Sequence, residues 1–328
     1  MAKVFSLVQT VPGLGVFPIR PPIWQDWEVT DLGSSAVVGV PPAGVPNIQA
    51  GIFNDTVAVN GLLRQSSLAL PHIRGWNAPP QWFINNANYL QLINPEAGPL
   101  DFAVSVRLAR AYGPAAASSI ISGTATINAG VTIPIQPTAG QDWVITDVGS
   151  DAWLGAQPNG LPDVRVELTD GAIFAQLADD ANVRGWFRAF ELYLNRTTYL
   201  ALTNTAVVPA TISWSGYVAR NYSPTGFSSV VSQVITLDAG GVAVIIPPVG
   251  YEMKVTDIGC SNWVPGPPGL PNVIVALTAG GIAPILQEPV NSKGWFGDMN
   301  YYLTRTNYMT LTGIPGTVVG VSAIIWKD

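Results

Sequence analysis

The sequence predicts an all-β protein: three tandem antiparallel β-sandwich domains, jelly-roll-like and arranged with pseudo-threefold symmetry. Three observations point there. Four short anchors recur three times in the same order. Apolar and polar residues alternate with a period of two. Turn formers, 33 glycines and 28 prolines in 328 residues, leave no helix-length run free of Gly, Pro and β-branched side chains.

The first anchor is Thr30-Asp31-Leu32-Gly33, which returns as Thr146-Asp147-Val148-Gly149 and Thr256-Asp257-Ile258-Gly259. Trp27, Trp143 and Met253 stand three positions before its threonine, each preceded by an acid, Asp26, Asp142 or Glu252. The second is Val45-Pro46-Asn47-Ile48, matched by Leu161-Pro162-Asp163-Val164 and Leu270-Pro271-Asn272-Val273. Gly-Trp pairs end the third, at Trp76, Trp186 and Trp295, and the fourth centres on Tyr89, Tyr199 and Tyr308. The anchors return every 109 to 116 residues. Solenoids and propellers repeat every ~20–50 residues, so this period is that of a whole domain. The expected domains are 1–113, 114–223 and 224–328. Their joints, Tyr112-Gly113-Pro114 and Tyr222-Ser223-Pro224-Thr225-Gly226, read as short turns, so the domains are expected to touch.

Within a unit, Val131, Ile133 and Ile135 alternate with Thr132, Pro134 and Gln136, and Val164, Val166 and Leu168 with Arg165, Glu167 and Thr169. That is the pattern of half-buried strands. Turn clusters such as Asp238-Ala239-Gly240-Gly241 separate them. About eight strands fit the middle unit, the number of a jelly roll. An immunoglobulin-like sandwich is the nearest competitor, but the paired cysteines of that fold are absent.

Composition excludes much. Only 11% of residues are charged and 48% are apolar, so the chain is not disordered. The net charge is −6 with no basic run, which argues against nucleic acid as a partner. The longest apolar stretch, Val242 to Val249, is broken by Pro247 and Pro248, so no membrane span is expected. No signal peptide is visible at the start, and the sequons at Asn54, Asn195 and Asn221 read as chance. One cysteine, Cys260, and one histidine, His72, leave no disulfide framework or multi-cysteine metal site and little acid–base chemistry. No phosphate-binding glycine loop occurs. The expectation is no cofactor, no metal and no enzymatic activity. A body of this mass exposes about 13,000 Å², or about one charge per 360 Å². That sparseness fits either an uncharged polar exterior or faces covered by partners.

Asp31, Asp147 and Asp257 are the strongest candidates for chemistry, as metal ligands or general bases. Their plainer reading is a carboxylate bonding backbone N–H groups at a turn before the glycine. Asp26 and Asp31, five apart on a strand, are expected to face opposite sides and so make a poor glycosidase pair. Trp76, Trp186, Trp295, Tyr89, Tyr199 and Tyr308 read as repeat-defining structural residues. Trp153 and Trp263 differ. They lie in Gly/Pro-rich loops, align near Val37, and are the candidate contacts for a protein or glycan partner. His72 lacks a nucleophile and orienter in any motif, and Cys260 stands where the other copies have Ser34 and Ser150.

Short tandem β-sandwich units rich in Gly, Pro, Thr and Ala, lacking cysteine pairs and a visible signal, resemble virion structural proteins of tailed bacteriophages. In particular, the chain resembles jelly-roll capsid decoration (cement) proteins. The resemblance implies a non-enzymatic viral protein of the virion, assembled in the host cytoplasm. Its implied partners are the major capsid protein or other virion proteins, with copies of itself as a further candidate. The competing expectation is a carbohydrate-binding module or receptor-binding spike or fibre, with surface glycan held by Trp153 and Trp263.

Overall fold

A computed structural model describes residues 4–38, 45–55, 61–65, 81–114, 116–154, 161–178, 190–223, 226–264, 270–283, 285–287 and 299–327. Every regular element among them is a strand, and each repeat contributes ten. The first copy holds β1 (Val4–Val11), β2 (Val16–Ile19), β3 (Gln25–Ser34), β4 (Val37–Val38), β5 (Val45–Pro46), β6 (Gln49–Phe53), β7 (Gly61–Gln65), β8 (Trp82–Ile84), β9 (Tyr89–Ile93) and β10 (Leu100–Ala111). The second holds β11 (Gly123–Ile127), β12 (Thr132–Ile135), β13 (Gln141–Ser150), β14 (Trp153–Leu154), β15 (Leu161–Pro162), β16 (Val164–Thr169), β17 (Phe174–Ala178), β18 (Leu192–Leu194), β19 (Tyr199–Asn204) and β20 (Ala210–Asn221). The third holds β21 (Gln233–Thr236), β22 (Val242–Ile245), β23 (Tyr251–Cys260), β24 (Trp263–Val264), β25 (Leu270–Pro271), β26 (Val273–Ala279), β27 (Ile285–Gln287), β28 (Tyr301–Leu303), β29 (Asn307–Gly313) and β30 (Val318–Lys327).

The pairing is the same each time. One sheet of the first copy runs β1-β10-β3-β8, the other β2-β9-β6-β7, with β4-β5 as a separate ribbon. The second copy gives β11-β20-β13-β18 and β12-β19-β16-β17, and the third β21-β30-β23-β28 and β22-β29-β26-β27. The six sheets pair into three antiparallel β-sandwiches. Leaving out the ribbon, the first strand pairs the eighth, the second the seventh, the third the sixth and the fourth the fifth. This is one long hairpin rolled up so that successive pairs fall in alternate sheets, the path of an eight-stranded jelly roll. The two extra strands of each copy form the ribbon, so the strand number of the sandwich agrees with the sequence expectation.

The inward residues of both sheets make the cores of the first and third copies. Val29, Leu32, Phe102 and Val104 of one sheet meet Ile48, Ile52, Leu90 and Leu92 of the other in the first copy. Val255, Ile258, Val319 and Val321 meet Val273, Val275, Met309 and Leu311 in the third. By contact the chain divides into two compact units. One is 1–131 with 145–164 and 204–218; the other is 132–144 with 165–203 and 219–328. Each unit joins one terminal sandwich to part of the middle copy, so each contains one of the two junctions between successive copies.

The Thr-Asp-x-Gly anchor departs from expectation. It lies inside the long strands β3, β13 and β23, not at a turn. In the first and third copies the register against the last strand shifts at its threonine, Thr30 or Thr256, which is the extra residue of a β-bulge. All three threonine hydroxyls turn back to a backbone carbonyl, that of Ser105, Ser215 or Ser322. The bulge resets the alternation. Trp27, Val29 and Leu32 all point into the core, so Asp26 and Asp31 share the outer face and do not oppose one another, as uninterrupted alternation would require.

Candidate functional site

The outer faces brought out by that bulge are where successive sandwiches meet. Asp26, fully buried, accepts from the Ser118 hydroxyl (2.6 Å), the Ser119 backbone N–H (2.9 Å) and the Ser119 hydroxyl (2.9 Å). Asp142, also fully buried, does the same with Ser228 (2.6 Å), the Ser229 N–H (3.0 Å) and the Ser229 hydroxyl (3.0 Å). In both cases the acid of one copy grips the lead-in of the next. Charge-assisted bonds of this kind are worth about 1.5–3 kcal/mol each and satisfy the buried carboxylate.

A second set of contacts repeats beside it. The edge strand β8 sends the Phe83 N–H to the Ser215 hydroxyl (2.9 Å) and receives the Ser122 hydroxyl on its carbonyl (2.6 Å). Edge strand β18 places the Tyr193 N–H on Ser322 (2.9 Å) and takes Ser232 on its carbonyl (2.6 Å). Sheet edges are liabilities because their backbone groups invite pairing. Here the hydroxyls of the next sandwich satisfy them. In the second junction β17 also lies on this face. A Cβ built on Gly259 would stand 2.2 Å from the Gln176 carbonyl oxygen, and one on Gly320 2.7 Å from the Ala175 Cβ. Glycine is needed there for backbone approach.

The repeated carboxylates therefore divide by position. Asp147 accepts the Trp82 indole N–H from the first copy (2.8 Å) while its other oxygen takes the Val148 N–H (2.8 Å). Asp31 keeps the matching bond to the Leu32 N–H (2.8 Å) but is exposed, and Asp257 is buried. Binding a backbone N–H was expected of this carboxylate; its partner across the junction was not. Among the described residues no group of three His, Cys, Asp or Glu lies close enough to hold a metal ion.

Trp153 and Trp263 pair with Pro162 and Pro271 in the two-stranded ribbons, at the position of Val37 opposite Pro46, so they sit on short strands, not in open loops. Trp263 is half-buried, and its indole Nε1 is buried with no hydrogen bond among the described residues. Trp76, Trp186, Trp295 and His72 lie outside the described residues.

Tyr89 is buried on β9. Its hydroxyl donates to Asp55 (3.0 Å), and the Arg20 guanidinium lies 3.9 Å over its ring while bonding Asp55 at 2.7 Å. The Arg20 bond, with that of Tyr89, holds the Asp55 carboxyl below its ordinary pKa, and burial raises that of the phenol. Tyr199 and Tyr308 are half-buried. Cys260 is buried, its thiol on the Asn262 carbonyl (2.6 Å). The sequon residue Asn195 is buried too, with its amide on the Val230 carbonyl (3.0 Å).

A cleft of about 560 Å³ opens at the first junction. The Glu28–Arg107 ion pair, Arg110, and the Phe83 and Tyr217 rings (4.5 Å apart) line it. It pairs one carboxylate with arginines and holds Ser119, whose hydroxyl is committed to Asp26. Among the described residues the cleft is a charged seam, with its serine hydroxyl held by a carboxylate.

The residues sequence reasoning missed are the serines. The signal was present: Ser118-Ser119 and Ser228-Ser229 occur in the two copies that follow another, while the first has Ala2-Lys3. Aspartate occurs in the two copies that precede another, while the third has Glu252. Compared with known proteins, the chain matches no family model and no curated protein sequence.

Proposed function

We propose that the chain is a non-enzymatic virion component, a capsid decoration protein that binds the major capsid protein and reinforces the shell. One observation carries the reading: the acids that chemistry would recruit, Asp26, Asp142 and Asp147, are committed to holding sandwich to sandwich. Sandwiches joined in this way present charge-poor outer faces, which suits them to being covered by neighbours. The glycan-binding alternative loses weight, since Trp263 is half-buried in a ribbon and not an exposed platform. The test is binding of the purified chain to capsids stripped of it, with the heat resistance of those particles. Saturable binding that restores heat resistance supports the proposal. No binding, with particles equally resistant in its absence, rejects it.

A further inference from the structure

Each junction has two halves, and among the described residues two further such halves, one on the first copy and one on the third, are exposed. The receiving half is the outer face of the sheet that begins each copy: a serine on its first strand, a serine on its last, and the Asp and Gly of the bulged strand. In the second and third copies the serines, Ser122 and Ser215, Ser232 and Ser322, are all buried by the preceding sandwich. The strand registers make Ser6 and Ser105 their equivalents, since Ser6 faces Ser105 across the β1–β10 pair. Ser6 and Asp31 are exposed, Ser105 half-exposed, and with Gly33 and Ala103 they line a hollow of about 180 Å³. Val8 beside them is 74% exposed, whereas Thr124, at its place in the second copy, is buried.

The inserting half is the edge of the other end. Tyr302 stands opposite Lys254 as Phe83 stands opposite Glu28, so its N–H and C=O point off the sheet edge in the same way. It is 63% exposed, and Ile285 on the neighbouring edge, where the second copy has Gln176, is 53% exposed. Gly33 adds a second, independent sign. A Cβ there would meet only the Ala103 Cβ at 3.8 Å, so nothing among the described residues demands glycine. At Gly259 the same position is closed by the inserted strand.

We infer that the exposed face of the first sandwich receives the free edge of the last sandwich of a second copy of this chain, in a head-to-tail contact that repeats the two internal junctions. The occupant is identified by the internal pairs: edge-strand backbone groups for Ser6 and Ser105, and close approach over Gly33. Such a contact is heterologous, so each chain keeps one free half and can add another. The inference stands apart from the shell-binding proposal and does not need it.

The experiment is sedimentation velocity on the full chain across a concentration series, with Gly33→Leu and Tyr302→Arg as single variants. Wild type is expected to shift to multiples of the single-chain mass as concentration rises. Each variant alone is expected to lose that shift while keeping its circular dichroism and melting temperature. An equimolar mixture of the two is expected to stop at a dimer, because each retains one intact half. A chain that stays monomeric up to its solubility limit overturns the inference, as does association that survives both substitutions or a mixture that fails to pair.

Discussion

The two internal junctions use one backbone framework with different side chains. Both have an aspartate on a serine pair and an edge-strand peptide held between two serine hydroxyls. The first adds an indole, Trp82, to Asp147. The second has Leu192 at that place and instead adds a Lys254–Glu191 ion pair (3.1 Å). In the first copy Glu28 occupies the position of Lys254 and turns to Arg107 within its own sheet. The constant part is the set of small polar groups that satisfy buried backbone and carboxylate, where geometry tolerates little change. The variable part lies where several kinds of contact serve.

Substitutions can break this comparison in graded fashion. The largest effect is expected from Gly259→Leu, which drives a side chain into the Gln176 carbonyl and costs about 3 kcal/mol or more. Gly33→Leu, at the equivalent uncovered position, should stay within about 0.5 kcal/mol in the same denaturant titration. Next comes Asp142→Ala, which strands three donors and should cost about 2–3 kcal/mol. Glu252→Ala, which removes only an exposed acceptor of the Trp326 indole, should cost less than about 1 kcal/mol. Among the junction substitutions the mildest is Lys254→Met, below about 1 kcal/mol because the pair is partly exposed. Hydrogen exchange at the Tyr193 amide, held by Ser322, should then lose its salt dependence, while the Phe83 amide in the first junction is unchanged.

The fold was legible in the sequence because its determinants are periodic. Alternation marks which side of a strand is buried, and Gly/Pro punctuation marks where strands end. The junctions were not legible for the same reason. Alternation separates inside from outside but is silent on what covers the outside, so nothing in the pattern marks Asp26 or Ser215 as a junction residue. The bulge at Thr30 was invisible as well, because one extra residue leaves composition unchanged while reversing which face Asp31 occupies. Only the unequal distribution of the Ser-Ser pair and the aspartate among the copies carried the junction in one dimension.

The clamp has a consequence for how such chains can grow or shrink. Both joints carry the same acid on one side and the same pair of hydroxyl residues on the other. Excising the middle copy would bring Asp26 opposite Ser228 and Ser229, the chemistry it already satisfies with Ser118 and Ser119. The joint is therefore indifferent to how many sandwiches are strung between the ends, and a gene for two or four copies would inherit a working connection at every step.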